Sequence, residues 1–190
     1  MRGFTRQLSA ALRAFLLLSV LLGLVYPLVV TGVAQVALRG PADGSLIERD
    51  GRVVGSSLIG QAFTDPRNFQ PRPSASHYAG DSSGSGNLSP VAADQLAEVR
   101  ERANQLRSAN RLAPAEIPAD ALTASSSGLD PDISIDYARW QAPRVAAARG
   151  LQVAAVQTMI AQQTTGRTLG FLGQPRVNVL ELNLALDQQR

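Results

Sequence analysis

The chain begins with a long apolar segment that predicts a membrane-spanning helix. Residues 14–38 form a run of 25 residues without a charge, rich in Leu and Val. About 20 apolar residues are enough for a helix to cross the hydrocarbon core of a bilayer. The apolar region of a cleaved signal peptide is only about 7 to 15 residues long and ends at a small-residue cleavage site. This run is longer and has no convincing site, so we expect a retained anchor.

Small or helix-bending residues recur at every fourth position of this segment: Ser19, Gly23, Pro27 and Thr31. Such a stripe lets a second membrane helix approach closely. The alternative is that Gly and Pro are simply common in membrane helices. Both interpretations fit the pattern, and the first predicts a helix-docking face.

The remainder of the chain opens with a predicted hairpin and a long irregular loop. Two short apolar runs within residues 45–61 flank the turn residues Asp50 and Gly51, which predicts two antiparallel strands. Residues 63–88 lose this pattern and contain three Pro and a Ser/Gly tract. Loops of this length inside a compact domain are usually functional or disordered, so we interpret it as a candidate contact surface.

Several helices are predicted after the loop. Ser89, followed by Pro90, is expected to cap a helix that ends near Asn110. Ser134 or Asp132 is expected to cap a second helix, which Pro143 should break or restart. Further helices are predicted over residues 143–149 and 152–164, with Gly150 between them, and Val153, Val156, Met159 and Ile160 of the last one are expected to face inward.

The C-terminal segment alternates between apolar and polar residues over 177–186, with Leu180, Leu182, Leu184 and Leu186 on one face, and this predicts a core strand. The pattern as a whole predicts an α+β fold: one transmembrane helix, then one extracytoplasmic domain of short strands and about four helices. The expected boundaries are a basic arm at 1–13, the transmembrane helix at 14–38 and the outer domain at 39–190.

The distribution of charge predicts the orientation of the membrane helix and argues against nucleic acid as a partner. Arg2, Arg6 and Arg13 precede the apolar run with no acidic residue among them, which places the N-terminus in the cytoplasm and the domain outside. This leaves 15 of the 18 basic residues to balance all 15 acidic ones. A formally neutral domain offers no attractive field to phosphate, so we expect no nucleic-acid binding.

Two missing residue types narrow the chemistry. The sequence contains no Lys and no Cys. These absences exclude a Walker-type phosphate loop, a Schiff base, thiolate catalysis, zinc-thiolate sites and disulfides. At about 150 residues, the domain is large enough to be held together by core packing alone.

Few residues remain as candidates for a chemical site. His77 is the only histidine and lies in the irregular loop, without the sequence context of a catalytic triad. Three acidic residues lie close together in the sequence: Asp130, Asp132 and Asp136. They fit either the start of a cation-binding loop or the cap of a helix. Capping is favoured because a helix is predicted to follow. We therefore predict no catalytic residue and no metal site, with Asp130 and Asp132 as possible outer-domain contact or cation-attracting residues.

A series of short motifs resembles one known family along the whole chain, in order and in spacing. The motifs are G-S-L-I at 44–47, L-I-G-Q at 58–61, R-P-S-A at 72–75, G-N-L at 86–88, T-A-S-S-S-G-L-D-P-D-I-S at 123–134, Q-A-P-R-V-A at 141–146 and G-Q-P-R-V-N-V-L-E-L-N-L-A-L-D at 173–187. Together they resemble the C subunit of the Kdp potassium-transporting ATPase.

The resemblance implies a non-catalytic subunit of a high-affinity, ATP-driven potassium uptake complex in the bacterial inner membrane. Its implied partners are a channel-like potassium-translocating subunit and a P-type ATPase subunit, besides the lipid bilayer. Its implied role is that of an assembly factor and catalytic chaperone that raises the ATP affinity of the ATPase subunit. ATP is then implied as a ligand of the complex, with no cofactor bound firmly by this chain.

The family has also been described as contacting ATP through a Gln-containing stretch, for which the nearest residues here are Gln162 and Gln163. The predicted orientation opposes direct contact, because it places the domain across the membrane from cytoplasmic ATP. An alternative function from another class is a membrane-tethered periplasmic binding domain or hydrolase unrelated to transport.

Overall fold

A computed structural model of the protein describes residues 2–189 and divides into two compact units, residues 1–46 and 47–190. The first unit is helical, and its elements are α1 (Arg2–Val20), a π-helical turn (Leu21–Val25), α2 (Tyr26–Ala37) and the short α3 (Arg39–Ala42). Residues 3–37 form one continuous helix that is long and apolar enough to cross a membrane. This agrees with the long apolar helix predicted from the sequence, and its retention as an anchor stays a prediction.

The π-helical turn has an identifiable cause in the proline that follows it. Pro27 has no N–H to donate, and its ring would collide with the carbonyl four residues earlier, that of Gly23, in a regular α-helix. The turn is widened instead, and the N–H of Tyr26 donates to the carbonyl of Leu21, five residues back. Single π turns of this kind occur inside α-helices, often at functional sites.

The predicted hairpin follows: β1 (Leu46–Arg49) starts at the last residue of the first unit, and β2 (Arg52–Ser56) belongs to the second. Its turn residues Asp50 and Gly51 both have positive φ, 52° and 74°, as a two-residue hairpin turn of this kind requires. Residues 57–92 then contain no helix or strand. The predicted irregular loop at 63–88 is therefore confirmed.

Helices and one small sheet build the rest of this unit. The helices are α4 (Ala93–Ala109), the single-turn α5 (Ala119–Leu122), α6 (Ile135–Arg149), α7 (Val153–Gln162) and α8 (Val179–Asp187). The strands β3 (Asp132–Ile133), β4 (Thr164–Thr165) and β5 (Arg176–Asn178) form an antiparallel sheet in the order β3-β5-β4. In register, Ile133 faces Val177 and Thr165 faces Arg176. The α+β class is confirmed.

The core lies where α6, α7 and α8 pack on this sheet and on the start of the long loop. Its fully buried side chains include Phe69, Tyr137, Val156, Ile160 and Leu182. Val153, which was expected to face inward with Val156, is 37% exposed, so that part of the prediction is wrong. It is the first residue of α7 and lies at the edge of the core.

The predicted C-terminal strand is wrong over most of its length. Only Arg176–Asn178 is a strand, and α8 begins at Val179. Asn178 caps this helix, because its side-chain oxygen accepts a hydrogen bond from the N–H of Glu181 at 3.2 Å. The buried residues Val179, Leu182 and Leu186 follow helical rather than alternating spacing.

Two predicted helix boundaries also differ from the structure. Ser89 does not cap α4, which begins at Ala93; its hydroxyl accepts a hydrogen bond from Val91 N–H within a preceding turn. Pro143 neither ends nor restarts a helix but lies inside α6. Residues on both sides of this proline, Ala142 and Arg144, are buried, and their packing maintains the helix through it. Gly150 ends α6 with φ of 68°, as expected for a helix terminus.

Candidate functional site

A buried arginine fixes the first part of the long loop to the helical core. Arg144 on α6 is 7% exposed. Its guanidinium donates to the carbonyls of Pro66 and Asn68, and its Nε donates to Asn110 Oδ1 at 2.5 Å. Nη2 of Arg144 also donates to Gln141 Oε1 at 2.8 Å. One cationic side chain therefore satisfies main-chain acceptors that the loop itself leaves unpaired.

Two side-chain amides continue this attachment along the loop. Gln141 on α6 accepts from Gln70 N–H at 2.8 Å and donates to Gln70 O at 3.0 Å. Asn183 on α8 makes the same pair of bonds with Phe69, at 2.7 and 3.0 Å. The two amides thus provide Phe69 and Gln70 with the pair of main-chain hydrogen bonds that a neighbouring strand would otherwise form. The main-chain N–H and C=O groups of Phe69 and Gln70 are thereby all hydrogen-bonded, as they would be in a strand.

The middle of the loop is held against the 123–134 segment by another arginine. Arg72 forms an ion pair with Asp130, with Nη1 and Oδ2 3.1 Å apart. Tyr78 donates from its hydroxyl to the carbonyl of Arg72 at 2.7 Å. Ser74 Oγ donates to the carbonyl of Gly128 at 2.6 Å. The R-P-S-A and T-A-S-S-S-G-L-D motifs of the sequence therefore form one contact.

Two glycines permit close backbone approach in this region. A Cβ on Gly60 would lie 2.5 Å from the carbonyl oxygen of Asp130. Gly128 has φ of 70°, and a Cβ there would collide with Ser76 Oγ and the carbonyl of Gly84. Both positions therefore require glycine on steric grounds.

Burial alters the acid–base properties of several of these groups. It raises the pKa of Tyr78 to about 12, so that its hydroxyl stays protonated. Burial lowers the pKa of Arg144, although the neighbouring Tyr137 and Asp65 act in the opposite direction. Burial raises the pKa of Asp132, and Arg176 opposes this while Asp130 adds to it. None of these groups is brought into a nucleophile–base arrangement.

The three acidic residues near position 130 have separate structural partners. Asp130 pairs with Arg72, and Asp132 pairs with Arg176 at 2.8 Å. Asp136 lies in the first turn of α6, where a negative charge is favourable. The cap of that helix is Ser134, whose Oγ accepts from Tyr137 N–H at 3.0 Å. Within residues 2–189, no group of three or more metal-ligating side chains is close enough to hold an ion.

His77 and the two glutamines occupy exposed or terminal positions. His77 is exposed on the loop, with φ of 53°. Gln162 is the exposed last residue of α7, and Gln163 follows it as the C-cap, half-buried, with its N–H bonded to Met159 O. The C-terminal end of a helix carries partial negative charge, which disfavours a phosphate group.

The four residues of the possible docking face all lie on the long N-terminal helix. Ser19 is in α1, Gly23 in the π-helical turn, and Pro27 and Thr31 in α2; all are exposed. In a regular α-helix, a four-residue step overshoots one turn by about 40°. The π-helical turn takes more residues per turn and offsets part of this drift. Ser19, Gly23, Pro27 and Thr31 are therefore better aligned along the helix axis than their four-residue spacing alone predicts.

The residues that organise the outer domain were not predicted from the sequence. Arg144, Gln141 and Asn183 are polar residues on helix faces that are otherwise buried, and that combination is the signal that would have identified them. Asp120 was also missed. It accepts from the N–H and hydroxyl of Ser134, at 2.8 and 3.0 Å, and so anchors the start of α6.

Comparison with known proteins gives a full-length relationship. The family described as KdpC, the c chain of the K+-transporting ATPase, matches residues 8–188. Proteins named potassium-transporting ATPase KdpC subunit are similar to the chain in three organisms. That of Mycobacterium tuberculosis is 50% identical over 96% of this chain and 98% of its own length. That of Rhodospirillum rubrum is 49% identical over 97% and 96%, and that of Sorangium cellulosum is 50% identical over 97% and 98%. The matched range covers the sequence motifs, the uncharged run at 14–38 and almost all of the second unit, and the chain belongs to the KdpC family of potassium-transporting ATPase subunits.

Proposed function

We propose that the chain is the non-catalytic, single-pass subunit of an ATP-driven potassium uptake complex in a bacterial inner membrane. The observation that carries this proposal is the family match over residues 8–188, which includes the membrane helix and the outer domain together. Its partners in this proposal are a channel-like potassium-translocating subunit, a P-type ATPase subunit and the lipid bilayer. Nucleic acid has no part in it.

The proposed orientation has the N-terminus in the cytoplasm and the outer domain on the periplasmic side. Arg6 and Arg13 are exposed on α1, and the first acidic residue of the chain is Asp43. Basic residues flanking a membrane helix favour the cytoplasmic side. A cysteine-free sequence allows a direct test: single Cys residues at Ser9 and Ser85 should react with a membrane-impermeant reagent only at Ser85 in intact cells.

Docking on the channel-like subunit is the proposed task of the membrane helix. Small residues on the face formed by Ser19, Gly23, Pro27 and Thr31 leave room for a second helix to approach closely. The outer domain adds a second contact through the long loop. Since Arg144, Gln141 and Asn183 hold residues 66–70 of that loop against the helices, little ordering entropy is lost there when a partner binds.

The effect on ATP affinity is proposed to arise by linkage. A subunit that binds one conformation of the complex more tightly shifts its equilibrium, and so changes the affinity for any ligand of that conformation. This needs no contact between the chain and nucleotide. The position of Gln162 and Gln163 at a helix C-terminus, where partial negative charge disfavours phosphate, supports such an indirect action.

Affinity purification from detergent-solubilised membranes tests the proposal. The tagged chain should recover a multispanning channel-like protein and an ATPase, and its removal should weaken ATP binding by the ATPase. Gln162→Ala with Gln163→Ala should leave ATP affinity unchanged. If the chain were recovered without partners, and if it bound or hydrolysed a ligand by itself, its function would instead be that of a membrane-tethered binding domain or hydrolase.

A further inference from the structure

The loop between β4 and β5 presents three apolar side chains to solvent. Residues 166–174 of this loop are exposed at every position. Leu169, Phe171 and Leu172 are 79%, 68% and 49% exposed, so all three lie outside the buried core. Single exposed apolar residues are ordinary on protein surfaces, but contiguous ones mark interaction sites. Three such residues within four positions of one loop therefore indicate a contact surface.

Main-chain hydrogen bonds order the tip of this loop. Thr168 and Leu172 exchange both N–H···O bonds at 2.9 Å and so close a three-residue tip. The N–H of Gly170 donates to the carbonyl of Arg167 at 3.0 Å. The apolar side chains are therefore carried by a hydrogen-bonded turn.

Leu169 has a backbone conformation that is unfavourable for leucine. Its φ is 55°, in the left-handed region, where Cβ crowds a carbonyl oxygen. Glycine or asparagine adopts this conformation more easily. The exposed leucine gains no core packing in return. Neither backbone preference nor burial accounts for an apolar residue here, and this favours a contact outside the domain.

The charge beside the tip is positive. The sequence contains no acidic residue between Asp136 and Glu181. Arg167 is exposed two positions before Leu169 and donates to the uncharged side chain of Gln174 at 3.0 Å. Apolar side chains next to a basic one match the surface of a phospholipid bilayer, where arginine can bind headgroup phosphate while leucine and phenylalanine enter the acyl boundary.

The connection to the long N-terminal helix brings such a surface within reach. Only residues 38–45 lie between the end of α2 and the start of β1. A stretch of eight residues spans at most about 30 Å when it is fully extended. If the helix is a retained anchor, this short connection keeps the second unit beside the bilayer, so that lipid is present at high effective concentration.

We propose that the tip of the β4–β5 loop inserts into the phospholipid surface of the membrane in which the chain itself is anchored. Leu169 and Phe171 enter the boundary between headgroups and acyl chains, and Arg167 binds headgroup phosphate. The helix and the loop then form two attachments, which limit the tilt of the domain relative to the bilayer. The inference rests on the proposed function, because it requires the apolar helix to be a membrane anchor.

Depth-dependent quenching in reconstituted vesicles tests the inserted position. The sequence has no cysteine, so Phe171→Cys places a single environment-sensitive label on the full chain. Leu112→Cys is the matched control, because Leu112 is 65% exposed and lies in the connection between α4 and α5. In vesicles of phosphatidylcholine and phosphatidylglycerol, spin-labelled lipids should place the label at 171 about 5–10 Å into the headgroup and acyl boundary. The label at 112 should be quenched by aqueous iodide alone.

A second substitution separates membrane contact from folding. Leu169→Asn removes the apolar side chain, and asparagine tolerates the left-handed φ of this position. The free energy of unfolding should therefore be unchanged or raised. Quenching of the label at 171 by spin-labelled lipids should nevertheless be lost, and iodide should reach it. Lipid quenching that is equal with and without Leu169→Asn would contradict insertion of the tip.

The remaining outcomes distinguish the inference from the proposed function. If the chain stays in the vesicles but the labels at 171 and 112 behave alike, the loop inference is wrong while the proposed function stands. A benzoylphenylalanine at position 171 of the assembled complex should cross-link to lipid, and a cross-link to a protein subunit instead would also overturn the inference. If the full chain does not float with the vesicles after a carbonate wash, the membrane anchor is wrong, and the proposed function and the inference fail together.

Discussion

The side-chain amide of Asn183 forms two hydrogen bonds with the main chain of Phe69, a residue 114 positions earlier in the chain. Phe69 is fully buried, so no water is available to replace either bond. This pairing connects the C-terminal helix to the long loop. It also makes the stability of the domain sensitive to one uncharged polar residue.

Replacing Asn183 with Leu should lower the free energy of unfolding by about 2–4 kcal/mol. The substitution keeps an apolar side chain in the core but leaves the N–H and C=O of Phe69 buried without partners. Urea unfolding of the full chain in detergent, followed by the fluorescence of the single Trp140, measures the change. Gln188→Leu on exposed surface is the control. A loss below about 1 kcal/mol would contradict this account of the loop attachment.

Replacing Arg144 with Met should cost about 3 kcal/mol or more and release the first part of the loop. The acceptors on Pro66 and Asn68 lose a charged donor, and the donor side chain itself is only 7% exposed. Trypsin cleavage after Arg67 should therefore accelerate. Arg139→Met, on the exposed side of the same helix, should change stability by no more than about 0.5 kcal/mol. Equal cleavage rates in the two variants would refute a specific role for Arg144.

Asp187 should make the outer domain acid-sensitive. Partial burial alone raises the pKa of Asp187, but hydrogen bonds from Arg149 and Arg49, each at 2.9 Å, outweigh this and hold the pKa below its usual range. Its stabilising contribution is present above the ordinary carboxyl pKa, near 4, and is lost as pH falls through the lower folded-state value. The difference in stability between the wild type and Asp187→Asn should thus shrink between about pH 5 and about pH 2.

Denaturant unfolding at a series of pH values measures this difference. Asp50→Asn, which removes a carboxylate on a side chain that is 94% exposed, provides the control. If the stability difference between the wild type and Asp187→Asn grew on acidification, the pKa of Asp187 would be raised on folding and not lowered.

Replacing Asp130 with Asn should leave the apparent potassium affinity of the complex unchanged. Asp130 is engaged by Arg72, so it offers little free charge to a passing cation. The expected effect is local: faster proteolysis of the loop around Arg72. Potassium-stimulated ATPase activity over a range of potassium concentrations tests this, with Asp132→Asn measured beside it. A clear loss of potassium affinity in both variants would assign these carboxylates to cation attraction instead.

Replacing Gly23 or Thr31 with Leu should reduce assembly of the complex. Either change places bulk on the face that is proposed to contact a partner helix, where close approach depends on small residues. Gly32→Leu is the matched control, because Gly32 lies about 100° around the helix from Thr31 and is equally free of neighbours in the isolated chain. Recovery of partner subunits in affinity purification is the measurement. If all three variants assemble equally well, this helix face is not the docking site.

The hairpin, the long apolar helix and the irregular loop could be predicted because each depends on local rules. Asp50 and Gly51 determine a turn whichever residues pack above it, and an uncharged run of this length is by itself enough for a helix that could span a membrane. The C-terminal segment could not be predicted in this way. Its apolar residues satisfy both spacings at once, with Leu180, Leu182 and Leu186 fitting a strand and Val179, Leu182 and Leu186 fitting a helix.

The decisive residue in that segment is polar. Asn183 lies on the buried face of the helix, between Leu182 and Leu186. Because it is buried for its hydrogen bonds and is not apolar, the helical spacing of buried positions cannot be seen from hydrophobicity alone. Asn178 followed by Glu181 was a usable signal of a helix start. The same reasoning applies to Arg144 and Gln141, whose main-chain partners in the loop lie more than 70 residues away and leave no local trace.

The continuous helix over residues 3–37 is about 52 Å long, at about 1.5 Å per residue, whereas a typical hydrocarbon core is about 30 Å thick. Only residues 14–37 of this helix are uncharged, about 36 Å at about 1.5 Å per residue, so the hydrophobic surplus over such a core is only about 6 Å. Tilting of the helix absorbs a surplus of this size, at a cost of fractions of a kcal/mol per Å, and so provides a small tolerance for changes in bilayer thickness. Arg6 and Arg13 limit that tolerance, because a charge is costly in the hydrocarbon core.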